Sequence, residues 1–342
     1  MFLTLSFSLQ VLSQAMALTS GSHWTYEGAH GQEHWPETYP ECGLQAQSPI
    51  NIQTDSVQYD PSLVPVEPEG YWDIGSNFFT LTNNGHTVQM SLPQSMRLHG
   101  LPRMYSAVQL HFHWGRKGTA DGSEHQVDGR AFPAELHVVH FNSDKYANVS
   151  EAKHQPDGLA VLGVFLEAGN EENPAYNHIL EQLDDIKYKE QEKPVSAFNV
   201  RDLLPAHLGQ YFRYNGSLTT PPCYQSVLWT VFQQPARLSD AQLQKLQRSI
   251  YSTAEEDTPP VLLADNFRSL QLLNQRVVFS SFPTGPSGYS AAEITAIIFG
   301  VLLSCLGIFL AGWIVAKRIR EKRMQEQKGV VFTSSSRRAV AD

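Results

Sequence analysis

A run of 23 residues without a charged side chain, Ile294 to Ala316, constrains this chain more than any other feature. As a helix rising ~1.5 Å per residue it would be ~35 Å long, enough to cross a hydrocarbon layer of ~30 Å with some tilt. A core helix of that length and uniformity would be unusual, and the basic sequence 317–320 ends it abruptly. Because positive residues mark the cytoplasmic side, the sequence predicts a transmembrane helix over 294–316 and a cytoplasmic tail over 317–342.

The other end of the chain resembles a secretion signal. Residues 1–17 contain no charged side chain and end in Ala15-Met16-Ala17, an A-x-A cleavage pattern. The alternative is that this segment forms a buried N-terminal strand. The segment also lacks the basic residue that signal peptides usually carry near their start. A cleaved signal peptide over 1–17 and a C-terminal anchor predict a type I plasma-membrane protein whose main domain is extracellular.

Charge is unevenly distributed along the chain. Residues 317–342 hold eight Lys/Arg and three Asp/Glu, a net charge of +5. Because the net charge of the whole chain is −9, the other 316 residues have a net charge of −14. An acidic body with a short basic tail does not have the basic surface of a nucleic-acid-binding protein.

Cysteines and glycosylation sequons agree with the secretory pathway. Cys305 lies in the predicted span, which leaves Cys42 and Cys223 as the only candidates for a bridge in an oxidising compartment. The sequons at Asn148 and Asn215 are candidate glycosylation sites, although such tripeptides are common by chance.

Between these ends, short apolar or alternating runs predict strands separated by Gly, Pro and Asn turns. The runs are 88–92, 107–114, 134–141, 159–166 and 226–232, and helical patterns cover 177–183 and 239–251, with Ser239 as N-cap. We therefore expect a β-dominated α+β fold: one domain over 18–282 around a large, mainly antiparallel twisted sheet with short surface helices. A Pro/Gly/Ser-rich linker over 283–293 would join it to the single C-terminal transmembrane helix.

Two of the predicted strands carry histidines at strand spacing. In the first, Gln109, His111 and His113 are two residues apart and so point to one face. In the second, Glu135 and His137 share a face in the same way. If the strands are neighbours, three imidazoles converge, and each strand adds a polar side chain that can hold a ring N–H.

Three neutral nitrogen donors with hydrogen-bonded support are the composition of a catalytic zinc site. The alternative is that the histidines are core residues whose ring nitrogens are paired within the protein. No H-E-x-x-H sequence is present, so a metalloprotease type of zinc site is not supported.

Four motifs resemble those of the α-class carbonic anhydrases. They are Gln109-x-His-x-His-Trp-Gly115, Gly122-Ser-Glu-His125, Ala134-Glu-Leu-His-x-Val139 and Gly216-Ser-Leu-Thr-Thr-Pro-Pro222. The resemblance runs from about residue 24 to residue 282, and the span, the tail and the sequence 211–220 look closest to a transmembrane isoform.

The resemblance implies a role for each matching residue. His111, His113 and His137 match the ligands of one Zn²⁺, with Gln109, Glu135 and the backbone carbonyl of Asn266 supporting them. Thr219 and Glu124 match the hydroxyl and carboxylate that orient the nucleophile, and His86 matches the proton shuttle. The substrate wall matches Val139, Val161, Leu218, Thr219, Thr220, Val227 and Trp229, and the polar side of the cavity matches Tyr26, Asn84 and Gln89. A disulfide between Cys42 and Cys223 matches that of secreted family members.

The implied function is zinc-dependent, reversible hydration of carbon dioxide to bicarbonate outside the cell. The alternative is an inactive ectodomain that serves in adhesion or as a receptor. Such modules typically lose one or more zinc histidines, and here all three positions are intact. Small residues at Gly300, Ser304, Gly307 and Ala311 would allow association through the transmembrane helix.

Overall fold

The computed structural model describes residues 23–72, 78–119, 121–284 and 291–336, with the side chains of the last helix described over 295–325. The predicted signal peptide, 1–17, lies outside these residues, as does most of the predicted linker. The chain divides into two units, Met1–Thr284 and Gly285–Asp342, which are considered separately below.

Strands dominate the first unit. They are β1 Asn51–Ile52, β2 Gln58–Tyr59, β3 Glu67–Glu69, β4 Phe78–Asn83, β5 Val88–Ser91, β6 Arg97–His99, β7 Tyr105–Trp114, β8 Gln126–Val127, β9 Ala134–Asn142, β10 Leu159–Gly169, β11 Glu192–Ser196, β12 Tyr211–Gly216, β13 Val227–Phe232, β14 Ala236–Ser239 and β15 Phe279–Ser280. Within the described ranges, all but β1 and β8 form one sheet whose main path runs β11-β4-β5-β7-β9-β10-β13-β12-β15-β2. Only the pairings of β10 with β13 and β14, and of β15 with β2, are parallel in this sheet. The predicted β-dominated, mainly antiparallel fold is confirmed.

The helices of this unit are short. They are α1 Trp35–Thr38, α2 Val149–Ala152, α3 Pro174–Leu180 and α4 Asp240–Arg248, with 3₁₀ turns at Gly28–His30, Gln32–His34, Pro40–Gly43, Leu183–Asp185 and Val200–Leu203. Ser239 caps α4 in a capping box with Gln242, as predicted from the sequence. The helix predicted over 177–183 begins three residues earlier, because Asn173 caps it and Pro174 occupies its first position. It ends at Leu180, and the chain continues into the 3₁₀ turn.

The two central strands, β7 and β9, have different chemistry on their two faces. Leu110 and Phe112 of β7, and Leu136 of β9, are fully buried in one hydrophobic core. The intervening positions carry the histidines, and the antiparallel register places His111 directly opposite His137. Period-two alternation therefore brings the three imidazoles to one face.

A β-bulge in β7 determines which of its side chains point to each face of the sheet. The register of β7 against β9 shifts between Ala107 and Gln109, so Val108 is an extra residue on β7. Because of the shift, Ala107 belongs to the same core as Leu110 and Phe112, although it lies an odd number of residues from Leu110.

A second hydrophobic core lies on the histidine face of the sheet. It includes Val139 of β9, Val161 of β10, and Val227 and Trp229 of β13, with Leu218 packed against it. These strands are adjacent in the sheet, so their side chains form a continuous apolar surface beside the histidines.

The disulfide expected from the resemblance forms between Cys42 and Cys223, which are 181 residues apart in sequence. It anchors the loop that carries Thr219, in which the Cys223 amide donates to the Thr220 carbonyl and the Leu218 amide to the Tyr224 carbonyl.

The second unit contains α5, Ala291–Ser336. It is longer than the predicted span 294–316 and starts inside the predicted linker 283–293. Over the described residues it is the one helix long and apolar enough to cross a membrane, over Thr295–Gln325.

Candidate metal centre

Three histidines meet at the centre of the sheet, and each has one ring nitrogen held by the protein. His111 Nδ1 lies 2.9 Å from Gln109 Oε1, and His137 Nε2 lies 2.7 Å from Glu135 Oε1. His113 Nδ1 lies 2.7 Å from the backbone carbonyl of Asn266. The remaining nitrogens, Nε2 of His111, Nε2 of His113 and Nδ1 of His137, are left to face a common point. One ligand atom from each histidine falls within 4.8 Å of the others.

The residues present fit a metal ion of the zinc type. His113 Nε2 is buried and has no hydrogen-bond partner among the described residues, an arrangement that is costly for a polar atom unless something binds it. Loss of solvent, followed by the nearby rings of His113 and His137, holds the pKa of His111 well below its usual value. Burial also lowers the pKa of His113. A metal binds the neutral form of imidazole, and three imidazole donors match a catalytic zinc site.

A buried hydrogen-bond network extends outward from His137. The fully buried Glu135 carboxylate accepts from the His125 backbone amide at 2.8 Å and lies 2.7 Å from His125 Nδ1. Burial alone would raise the pKa of Glu135, but His125 and His137 hold it well below its usual value, so the carboxylate is ionised. An ionised acceptor at His137 Nε2 keeps the proton on that nitrogen and leaves Nδ1 free for a metal.

The network continues to the loop that carries Thr219. His125 Nε2 lies 2.6 Å from the Tyr214 hydroxyl, which lies 2.9 Å from Ser48 Oγ. Ser48 Oγ accepts from the Ser217 amide at 3.1 Å, two residues before Thr219. His125, Glu135 and His137 could also be read as a metal site, but their facing atoms are hydrogen-bonded to one another. We therefore assign His125 and Glu135 to the support of His137 rather than to a second metal site.

Glu124 is buried beside two of the histidines. Its Oε1 accepts from the Arg268 amide at 2.9 Å, while its Oε2 lies 3.4 Å from His113 Nε2 and 3.8 Å from His137 Nδ1. Thr219 is also buried, but the described residues include no hydrogen bond between its hydroxyl and Glu124. The expected Thr219–Glu124 pair therefore stays a prediction.

The residues expected to form the substrate wall lie together. Val139, Val161, Val227 and Trp229 belong to one buried cluster, and the Trp229 ring centroid lies 4.8 Å from that of His137. Trp229 Nε1 donates to the Ser217 carbonyl at 3.1 Å, which ties the wall to the Thr219 loop. Thr220 is half-buried in that loop.

The residues expected on the polar side are more dispersed. Gln89 of β5 lies directly opposite His111 of β7, so its side chain is on the ligand face. Asn84 Oδ1 accepts from the backbone amides of His86 and Thr87, which shapes the turn that presents His86. Loss of solvent and then the Glu124 charge raise the pKa of Tyr26 well above its usual value, consistent with a position near that carboxylate.

His86 is held away from solvent by an aromatic neighbour. Its ring stacks on Trp24 with centroids 3.8 Å apart and planes 10° apart. Burial, with smaller effects from His23 and Lys189, lowers the pKa of His86 to about 4.

Comparison with known proteins decides the family. The model of the eukaryotic-type carbonic anhydrases matches residues 30–282. This chain belongs to that family. Human carbonic anhydrase 12 is 42% identical over 326 residues, covering 94% of this chain and 91% of that protein. Human carbonic anhydrase 6 is 44% identical over 266 residues, covering 77% and 84%. Mouse carbonic anhydrase 7 is 42% identical over 269 residues, covering 77% and 99%.

As a carbonic anhydrase of the α class, the chain is an enzyme of carbon dioxide hydration, and the family is zinc-dependent. The expectation of a carbonic anhydrase fold and function is confirmed.

Several supporting residues of this carbonic anhydrase were not assigned roles from sequence. Tyr214 and Ser48 complete the network from Glu135, and they are 166 residues apart in sequence. Trp24 holds His86, from a segment 62 positions earlier in the chain. His125 lies in one of the motifs that resemble the family, but a motif alone does not indicate which residues its side chain contacts. The sequon residues Asn148 and Asn215 are both exposed, so a glycan could be attached at either.

Proposed function

We propose that this chain binds one Zn²⁺ through His111, His113 and His137 and uses it to interconvert carbon dioxide and bicarbonate outside the cell. The observation that carries the proposal is the buried Nε2 of His113, which makes no hydrogen bond within the described residues, with the other two rings oriented to the same point. Each ring is fixed by a hydrogen bond at its other nitrogen, as zinc-bound histidines typically are.

Bound zinc supplies Lewis acidity, which lets water act as a nucleophile near neutral pH. The chain's own residues then position the reactants. We infer that the Thr219 hydroxyl donates a hydrogen bond to Glu124 and presents its oxygen lone pairs toward the nucleophile, after Glu124 Oε2 turns from His113. Val139, Val161 and Trp229 hold carbon dioxide and exclude competing water, because their surface is apolar and adjacent to the histidines.

His86 is the proposed proton shuttle between the site and bulk solvent. A histidine with a pKa of about 4 holds almost no proton at neutral pH, so the ring stacked on Trp24 is a poor acceptor. We infer that the ring leaves Trp24 when it accepts a proton, since an ordinary histidine pKa of about 6.5 matches the transfer. The polar side chains of Asn84, Gln89 and Tyr26 would order the intervening water.

The proposed location is the extracellular face of the plasma membrane. The length and apolar composition of α5 support a span over 294–316, and the acidic main domain, the disulfide and the exposed sequons support an extracellular domain over 18–282. The signal peptide over 1–17, the linker over 283–293 and the cytoplasmic tail over 317–342 complete this arrangement. The finer resemblance to the transmembrane isoform carbonic anhydrase XIV stays a prediction.

Association through the small residues of α5 also stays a prediction. The Ser304 hydroxyl donates to the Gly300 carbonyl at 2.8 Å, four residues earlier, so it is satisfied within its own helix.

The test is zinc content together with stopped-flow hydration of carbon dioxide by the purified chain. We expect one zinc per chain and activity that is lost on chelation and restored by zinc. His111→Ala should lose both, whereas His207→Ala, at an exposed histidine outside the motifs, should keep both. Stoichiometric zinc and normal turnover in His111→Ala would refute the ligand assignment, and an inactive zinc-loaded wild type would favour the adhesion or receptor alternative.

A further inference from the structure

The segment just after the apolar part of α5 carries an unusual density of positive charge. Five cations lie within seven residues, Lys317, Arg318, Arg320, Lys322 and Arg323, against a single Glu321. All seven side chains are exposed, and over the described residues 295–325 none of these cations forms an ion pair. We call these five residues the basic collar. Among the described residues, their charge is therefore uncompensated.

The collar extends around the whole helix. At about 100° per residue, the five cations fall at about 0°, 100°, 300°, 140° and 240° relative to Lys317. The widest gap between neighbours is then about 100°, so no side of the helix lacks a cation. A docked protein would cover one side only, whereas a shell of lipid headgroups surrounds a spanning helix on every side.

The position of the collar along α5 also fits a lipid surface. The Lys317 ammonium lies 5.5 Å from the centre of the Trp313 ring, one turn earlier. Tryptophan is enriched at the boundary between hydrocarbon and headgroups, and lysines near helix ends extend toward that boundary. On the proposed span, Trp313 therefore marks the boundary, and the collar follows within the headgroup layer.

We propose that the basic collar binds the headgroups of anionic phospholipids, which exchange around the helix as a selective first shell. The inference rests on the proposed membrane span. Clusters of four to eight basic residues next to a span attract acidic lipids, with about a fivefold gain in binding for each well-placed charge. Recognition is by charge, because the cations point in all directions and share no common pocket.

The test uses the full-length protein in phosphatidylcholine bilayers that contain a trace of spin-labelled phosphatidylserine or spin-labelled phosphatidylcholine. We expect the helix to associate with the serine lipid about fivefold more strongly than with the choline lipid at low salt, and about equally in 1 M salt. Replacing all five cations by Gln should bring the ratio close to one at any salt concentration.

A charge-preserving control separates charge from geometry. The variant with Lys317→Arg, Arg318→Lys, Arg320→Lys, Lys322→Arg and Arg323→Lys should keep the wild-type ratio. Equal association of both lipids with the wild type would overturn the proposal, as would a preference that survives the Gln variant. Loss of the preference in the exchanged variant would also overturn it, because recognition would then depend on guanidinium geometry.

Single Gln substitutions test the arrangement around the helix. Each should lower the ratio by a similar factor, whereas an effect confined to one side would indicate a docked partner instead. Carbonate extraction is performed on every variant first. Wild-type protein released by carbonate would refute the membrane span itself, and retained protein without lipid preference would refute only the collar.

Discussion

Removing one buried hydroxyl should show how much the network behind the metal centre contributes to stability. Tyr214→Phe keeps the ring, which stacks parallel to Trp229 at 6.4 Å, and deletes only the oxygen between His125 Nε2 and Ser48 Oγ. Ser48 Oγ still accepts from the Ser217 amide, so its loss is small. His125 is fully buried, and its Nε2 is left without a partner.

An unsatisfied buried polar atom costs about 1–3 kcal/mol, so we expect the free energy of unfolding to fall by about 2 kcal/mol. For a domain of this size that corresponds to a decrease in Tm of roughly 4–8 °C. The assay is urea and thermal unfolding of the zinc-loaded unit that ends at Thr284. Tyr59→Phe is the matched control, because Tyr59 is 51% exposed, and we expect its effect to be within about 0.5 kcal/mol. If Tyr214→Phe were no more destabilising than Tyr59→Phe, the network would not be the support we describe.

Three further perturbations address other parts of the site. Trp24→Ala should raise the pKa of His86 from about 4 toward its ordinary value, measured by NMR titration. Because the wild-type pKa is depressed, protonation of His86 favours the unfolded chain between pH 6.5 and 4, and this loss of stability on acidification should shrink in the variant; an unchanged pKa would show that Trp24 is not the cause. Replacing Cys42 and Cys223 together by Ser opens a 181-residue separation and should cost about 3–5 kcal/mol in urea unfolding, and a cost below 1 kcal/mol would argue against that contribution. Gln109→Ala removes the acceptor that orients His111, a proposed zinc ligand, and should weaken zinc binding about 10–100-fold in chelator competition, with unchanged affinity as the contrary result.

The three imidazoles could be predicted because two strands with period-two alternation fix which side chains share a face. Gln109 and Glu135 were accessible by the same logic, since each lies two residues before the histidine it holds. The residue that accepts a hydrogen bond from His113 could not be predicted in this way, because the acceptor is a backbone carbonyl 153 residues later in the chain. Only the family resemblance supplied Asn266.

Other contacts depend on pairings that no local pattern encodes. The stacking of Trp24 on His86 joins the start of the described chain to the turn between β4 and β5, and burial of the His86 ring lowers its pKa. The extra residue at Val108 was also not predicted, because the run 107–114 shows no break in composition at that point.

The extra residue at Val108 also determines which single-residue deletions β7 can tolerate. Ala107 pairs with His140 and Gln109 with Val139, so loss of Val108 alone would join two consecutive rungs of the ladder and leave every later side chain on its present face. Deletion of any single residue from Gln109 to His113 would instead move the side chains on one side of the deletion to the opposite face of the sheet. Imidazoles would then point into the hydrophobic core, or Leu110 and Phe112 would point away from it. We therefore expect β7 to tolerate a single-residue deletion only at Val108.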